Sequence, residues 1–217
     1  MTEQPNRGAP RRSRLRTIRI LIWVLVGLAL AGSAALLLVH RPPLDAAQPA
    51  PIQASFGGPF TLVGGDGKPF ASSRLAGKPY ALFFGFTNCG DVCPTTLARL
   101  VKLRQQAGGP DKLNIVFITI DPERDGPKEV GQYATLFNAP IIGLTGSPAQ
   151  IDRVRKQYGI HAEKMPTGGG HDMAHGAYTM NHSSAVLLFD RDGQFISTIS
   201  SDESDPPALD KIRRITA

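Results

Sequence analysis

The stretch ALFFGFTNCGDVCPTTLARL, residues 81–100, holds the only two cysteines of the chain, Cys89 and Cys93, with Pro94 directly after the second. The continuous apolar run Tyr80–Phe86 that leads into it reads as a strand buried on both faces. From Pro94 to Gln106 apolar residues recur at helical spacing (Leu97, Leu100, Val101), and Gly108-Gly109-Pro110 ends the pattern. Proline is tolerated in a first helical turn because its missing N–H would have no partner there. Both thiols are therefore placed in a strand-to-helix loop, by the positive end of a helix dipole, which favours thiolate over thiol.

Outward from this loop the elements alternate. Phe60–Val63 and Lys68–Ser72, parted by GGDG, read as a short hairpin. LNIVFITI (113–120) is a second buried strand, Pro127–Phe137 a helix, Pro140–Leu144 a short strand, and Pro148–Tyr158 a helix stopped by Gly159. AVLLFDRDGQFISTI (185–199) reads as a hairpin around Asp-Gly, and PPALDKIRRITA closes the chain as a helix. This order, β-α-β-α…β-β-α, predicts an α/β domain of thioredoxin-like type.

The N-terminal part has a different character. The formal charge is +6, but six arginines before residue 20 (Arg7, Arg11, Arg12, Arg14, Arg16, Arg19) against Glu3 account for five of those charges. That leaves the remainder nearly neutral and excludes a nucleic-acid patch on it. Ile20–Val39 is charge-free over 20 residues, the length of a membrane-spanning helix. Arginines on its N-terminal side predict a cytoplasmic tail and an exported C-terminal part. Ala29-Leu30-Ala31 mimics a signal cleavage site, yet the apolar run continues well beyond it, and no cysteine lies near for lipid attachment. The expected organisation is a basic tail (1–19), an uncleaved single-pass anchor in the inner membrane (20–39), a Pro- and Ala-rich linker (40–54) and a domain in the periplasm or its equivalent (55–217).

Three uses of the thiols compete. A structural disulfide gains little from closing so short a loop. Dithiol oxidoreductases of this fold carry Cys-x-x-Cys, whereas here three residues separate the pair. Two thiolates suit Cu(I), and a third ligand would complete a trigonal site. His182, just ahead of strand 185–189, is the candidate: thioredoxin-like redox proteins usually place a cis-proline there, and this chain has none.

Three blocks, FGFTNCGDVCPTTL, TIDPERDGP (119–127) and YTMNHSS (178–184), resemble the signatures of the Sco/SenC family in order and spacing. Those are membrane-anchored, thioredoxin-fold copper proteins that assist assembly of the dinuclear copper centre of cytochrome c oxidase. The resemblance implies copper ligands Cys89, Cys93 and His182, the copper-centre subunit of the oxidase as recipient, and another copper chaperone as donor. Two positions depart from it: Gly90 stands where the family usually has proline, and Asn181 where it usually has aspartate.

The remaining candidates each carry two readings. Asp121 is either an acceptor beside a copper ligand or a turn residue, and Asp125 a helix starter for Pro127. His171, Met173 and His175 in GGGHDMAHG form either an auxiliary copper-capture site or a polar insertion. The expectation is a copper metallochaperone. The alternative is a thiol-disulfide reductase that keeps the recipient's cysteines reduced; a peroxidase would need a threonine and arginine environment that this loop lacks.

Overall fold

The computed structural model describes residues 12–39, 56–166 and 178–217. The chain divides into two compact units, Met1–Ile52 and Gln53–Ala217. In the first, helix α1 runs from Arg12 to Val39 and contains the charge-free stretch. Its side chains are described only in part, and among the described residues no helix is long and apolar enough to cross a membrane. The linker residues 40–54 and the tail residues 1–11 lie outside the described residues.

The second unit is built on a seven-stranded sheet. Its elements in chain order are β1 (Thr61–Gly64), β2 (Pro69–Ala71), β3 (Tyr80–Gly85), α2 (Val92–Gln106), β4 (Asn114–Thr119), α3 (Pro127–Thr135), β5 (Ile142–Thr145) and α4 (Pro148–Gln157). They continue with β6 (Ala162–Pro166), β7 (Tyr178–His182), β8 (Val186–Phe189), β9 (Phe195–Ile199) and α5 (Asp205–Thr216). The sheet order is β2-β1-β5-β4-β3-β8-β9, with β3, β4 and β5 parallel and the outer pairs antiparallel. The central strands are the continuous apolar ones: all six residues of β3, five of six in β4 and all four of β8 are buried. Burial on both faces removes the need for alternation, so these strands read as unbroken runs.

Helix ends follow their local chemistry. Ser147 caps α4 in a capping box with Gln150, and Pro148 takes the first helical position. The unit ends with α5 packed on α2, β8 and β9. Two strands were not expected. β6 and β7 form a hairpin of their own, apart from the main sheet. Four of the five residues of β6 are exposed and it ends in proline, so no apolar period marks it.

Gly143 in β5 shows how closely the layers meet. A Cβ there would stand 2.6 Å from the carbonyl oxygen of Val130 in α3, against backbone that cannot swing aside. Gly143→Ala is expected to lower unfolding free energy by about 1–3 kcal/mol, the usual cost of forcing atoms into a packed layer. A urea melt that matched the parent would contradict this.

Candidate metal centre

The site begins where β3 ends. Thr87, two residues on, is locked by Asp125: its N–H and hydroxyl donate to the two carboxylate oxygens at 2.9 and 2.5 Å. Thr119, at the end of the adjacent β4, donates to the same carboxylate at 2.6 Å, and Thr145 donates to the Asp125 carbonyl at 2.6 Å. Asp125 is buried, and the N-cap of α3 is Gly126, so the aspartate pins the cysteine loop and does not start the helix. The expected role fails because both of its oxygens are taken up by the two threonines.

The two cysteines diverge from there. The backbone N–H of Cys93 donates to Cys89 Sγ at 3.4 Å, so a sulfur stands where a side-chain oxygen usually caps a helix; Asp91 makes no cap of its own. Cys89 is half-buried, whereas Cys93 is wholly buried. Burial pushes the Cys93 thiol well above the usual cysteine range, helped by its neighbours Cys89 and Asp125, while the Phe86 N–H opposes it. The expectation of a thiolate-favouring helix end therefore fails at Cys93, where lost hydration outweighs the dipole. Gly85 makes the room: a Cβ there would lie 2.9 Å from Cys93 Sγ.

His182 arrives from the other side. β8 runs antiparallel to β3, with Leu82 opposite Leu187, so the residues just before β8 come alongside the end of β3. The imidazole stands edge-on to Phe86, and its Nδ1–H donates to the Ser183 carbonyl at 2.8 Å. That bond assigns the tautomer and leaves the Nε2 lone pair directed at Cys93 Sγ, 3.8 Å away. Burial lowers the pKa of the ring and favours its neutral form, with the Ser183 carbonyl opposing.

Cys89 and His182 border an open depression of about 410 Å³, together with Phe86, Met180 and Asn181, while Cys93 is buried out of it. Two ligands at roughly 2.0–2.3 Å from a shared ion, 120° apart, are themselves roughly 3.5–4 Å apart. The Cys93–His182 pair already has that spacing. Among the described residues no group of three such side chains is closed as a metal site, and Cys89 Sγ is engaged with the Cys93 N–H at the start of α2.

The other candidates separate. Asp121 is buried, pairs with Arg124 and accepts the Tyr178 hydroxyl at 2.6 Å; it touches the strand of His182, not the thiols. His171, Met173 and His175 lie outside the described residues. Thr87, Arg124 and Tyr178 were not foreseen, although all three lie inside the signature blocks.

Comparison with known proteins identifies the family. The SCO1/SenC family model matches residues 48–217. The chain belongs to the Sco/SenC family. Protein SCO2, mitochondrial, of Saccharomyces cerevisiae is 36% identical over 162 residues, covering 73% of this chain but only 52% of the yeast protein. The structure of Bradyrhizobium japonicum ScoI with copper bound superposes with a TM-score of 0.64 at 38% identity, over 74% of this chain and 99% of that one. BsSco, described as having a disulfide switch and as a member of the Sco family of cytochrome c oxidase assembly proteins, is 23% identical (TM-score 0.54, 73% of this chain, 92% of that one) and shows the shared fold alone. The α/β thioredoxin-like fold of the Sco proteins is thus that of this chain.

The unequal burial of the thiols has a direct consequence. In the reduced protein iodoacetamide should modify Cys89 well ahead of Cys93, because the latter is 0% exposed and held as thiol. Peptide mass spectrometry over a time course checks this, and equal rates would count against the geometry.

Proposed function

We propose that this protein is a copper metallochaperone that carries Cu(I) on Cys89, Cys93 and His182 and passes it to the copper-centre subunit of cytochrome c oxidase. The observation that carries the reading is the His182 Nε2 lone pair facing Cys93 Sγ at 3.8 Å, with the second thiol at the rim. Soft sulfur ligands select Cu(I), and a neutral imidazole is the form that ligates. The copper-bound state of the Bradyrhizobium relative supports the same cargo here. The shallow setting suits ligand exchange: an incoming sulfur or nitrogen can approach half-buried Cys89 from solvent while the buried Cys93 still holds the ion. Another copper chaperone would load the site. Asp121 would act at a distance from the metal, as an acceptor for the strand of His182.

A reductase reading rests on one observation, the pairing of a half-buried Cys89 with a buried Cys93. That asymmetry gives an attacking thiol and a resolving one. His182 separates the two functions, since metal transfer needs the imidazole and dithiol exchange does not. In an anaerobic titration, the reduced full chain should take up one Cu(I), competing with a chromophoric chelator, and the Cys89–Cys93 disulfide form should not. His182→Ala should weaken Cu(I) binding by about tenfold or more while a model disulfide is reduced at close to the parent rate. Retained copper affinity in that variant, or full binding by the disulfide form, would reject the assigned ligands.

The anchor belongs to the same proposal. In α1 the exposed apolar side chains Ile20, Leu21, Trp23, Leu25, Leu28 and Leu30 point in all directions around the helix. A helix that is apolar all round is suited to lipid. The arginine tail then faces the cytoplasm and the copper domain the periplasm or its equivalent. A reporter active only outside the cytoplasm, fused after Ala217, should be active; activity of a cytoplasm-only reporter there would reverse the topology.

A further inference from the structure

The strand that carries His182 lies outside the main sheet. Among the described residues β7 pairs only with β6, from Ala162 opposite His182 to Pro166 opposite Tyr178, and neither strand joins the main sheet. A lone two-stranded hairpin is marginal in water. At the His182 end, Ser183 N–H donates to the His161 carbonyl at 3.1 Å and His161 N–H to Ser183 Oγ at 3.3 Å. These bonds tie the hairpin's two ends to each other, and its apolar hold on the domain is small: Ala162 and Met180 pack on the core, and the His182 ring stands edge-on to Phe83 and Phe86.

The polar hold is at the Tyr178 end, from the loop between β4 and α3. The Arg124 guanidinium lies 3.8 Å from the Tyr178 ring centroid, and Nη1 donates to the Tyr178 carbonyl at 2.9 Å. Its Nε donates to the Asp121 carboxylate, which also accepts the Tyr178 hydroxyl at 2.6 Å. Tyr178 is thereby gripped at ring face, hydroxyl and backbone by two residues of one loop. On the paired strand, Lys164 stands 4.8 Å over the same ring and pairs with Glu123 at 2.6 Å. Both strands are thus fastened to residues 121–124. The next residue, Asp125, holds Thr87 at the head of the cysteine loop. One short loop grips both halves of the site.

We propose that Arg124 is a positioning residue for the metal centre: through Tyr178 it sets how far His182 reaches over the thiols. This rests on the copper reading above. Among the described residues Nη2 of Arg124 has no partner, so the grip runs through Nε, Nη1 and the ring face. A planar fork can stack, reach a carbonyl and pair with a carboxylate at once; a lysine ammonium can do only one of these well. Lysine at this position therefore keeps the charge and loses the registration.

The test uses the reduced full chain in detergent, with Arg124→Lys and Arg124→Gln compared alone and combined with His182→Ala. In the metal-free protein, amides of Tyr178–His182 should exchange with solvent about tenfold faster in either single variant, while those of β4 stay as in the parent. Cu(I) affinity by chelator competition should fall about tenfold in the His182 parent, yet by less than about twofold once His182 is alanine, because the arginine acts only through that ring. Tyr178→Phe, which keeps the stacking and removes one hydroxyl bond, should give a smaller effect of the same kind. Unchanged exchange across the hairpin overturns the proposal, as does equal acceleration in β4. An equal affinity loss in the presence and absence of His182 also overturns it. If the parent takes up no Cu(I), the copper reading falls, and the exchange comparison alone decides whether Arg124 holds the hairpin.

Discussion

One carboxylate organises the chemistry of this protein. Asp125 receives three donors from Thr87 and Thr119, out of contact with solvent. Hydrogen bonds to a charged acceptor in a dry setting are strong, and losing one side of such a cluster leaves a buried charge without compensation. The residues it joins are the last of β4 and the second after β3. The ladder between those strands is thus continued by a single side chain into the start of the cysteine loop.

From that point the environment assigns different properties to two chemically identical residues. Cys93 is drawn into the core against Gly85, and its proton is held there by the absence of water. Cys89 stays at the rim and closes the start of α2 with its sulfur. The histidine opposite is likewise kept neutral by burial, with one nitrogen occupied and one free. A buried thiol with two half-buried partners can retain an ion while one coordination position is being exchanged. Three equally exposed ligands would lack that order of departure.

The parts of this fold that were legible in the sequence are those written in hydrophobic continuity and turn chemistry. The unbroken runs of β3 and β4 announced buried strands, Pro148 and Gly159 bounded α4, and Asp192-Gly193 marked the turn between β8 and β9. Cys89, Cys93 and His182 were legible as a group because His182 precedes the strand where thioredoxin-like proteins place a cis-proline facing the cysteines, and because the signature blocks carry all three. The β6–β7 hairpin was not, since AEKMP carries charge and proline and has no face to bury. Asp125 was misread for a related reason. An acidic residue before Pro127 looks like a helix start, and only tertiary contact reveals that its oxygens are engaged with threonines from two other segments. Long-range polar contacts leave no periodic trace, so Arg124 and Tyr178 could be seen as signature residues without their partnership being visible.

The missing side chain at Gly85 has one more effect. Because Cys93 Sγ fills the space a Cβ would need, with Phe83 and Phe117 at its margins, that sulfur is a structural atom of the domain as much as a reactive one. Close-packed interiors pass on small changes in size and charge to their neighbours. Whatever becomes attached to this one atom is then coupled to the folding equilibrium of the whole domain, since a ligand that binds only the folded form adds its binding free energy to stability. The melting temperature of the protein thus becomes a gauge of what its sulfur is holding.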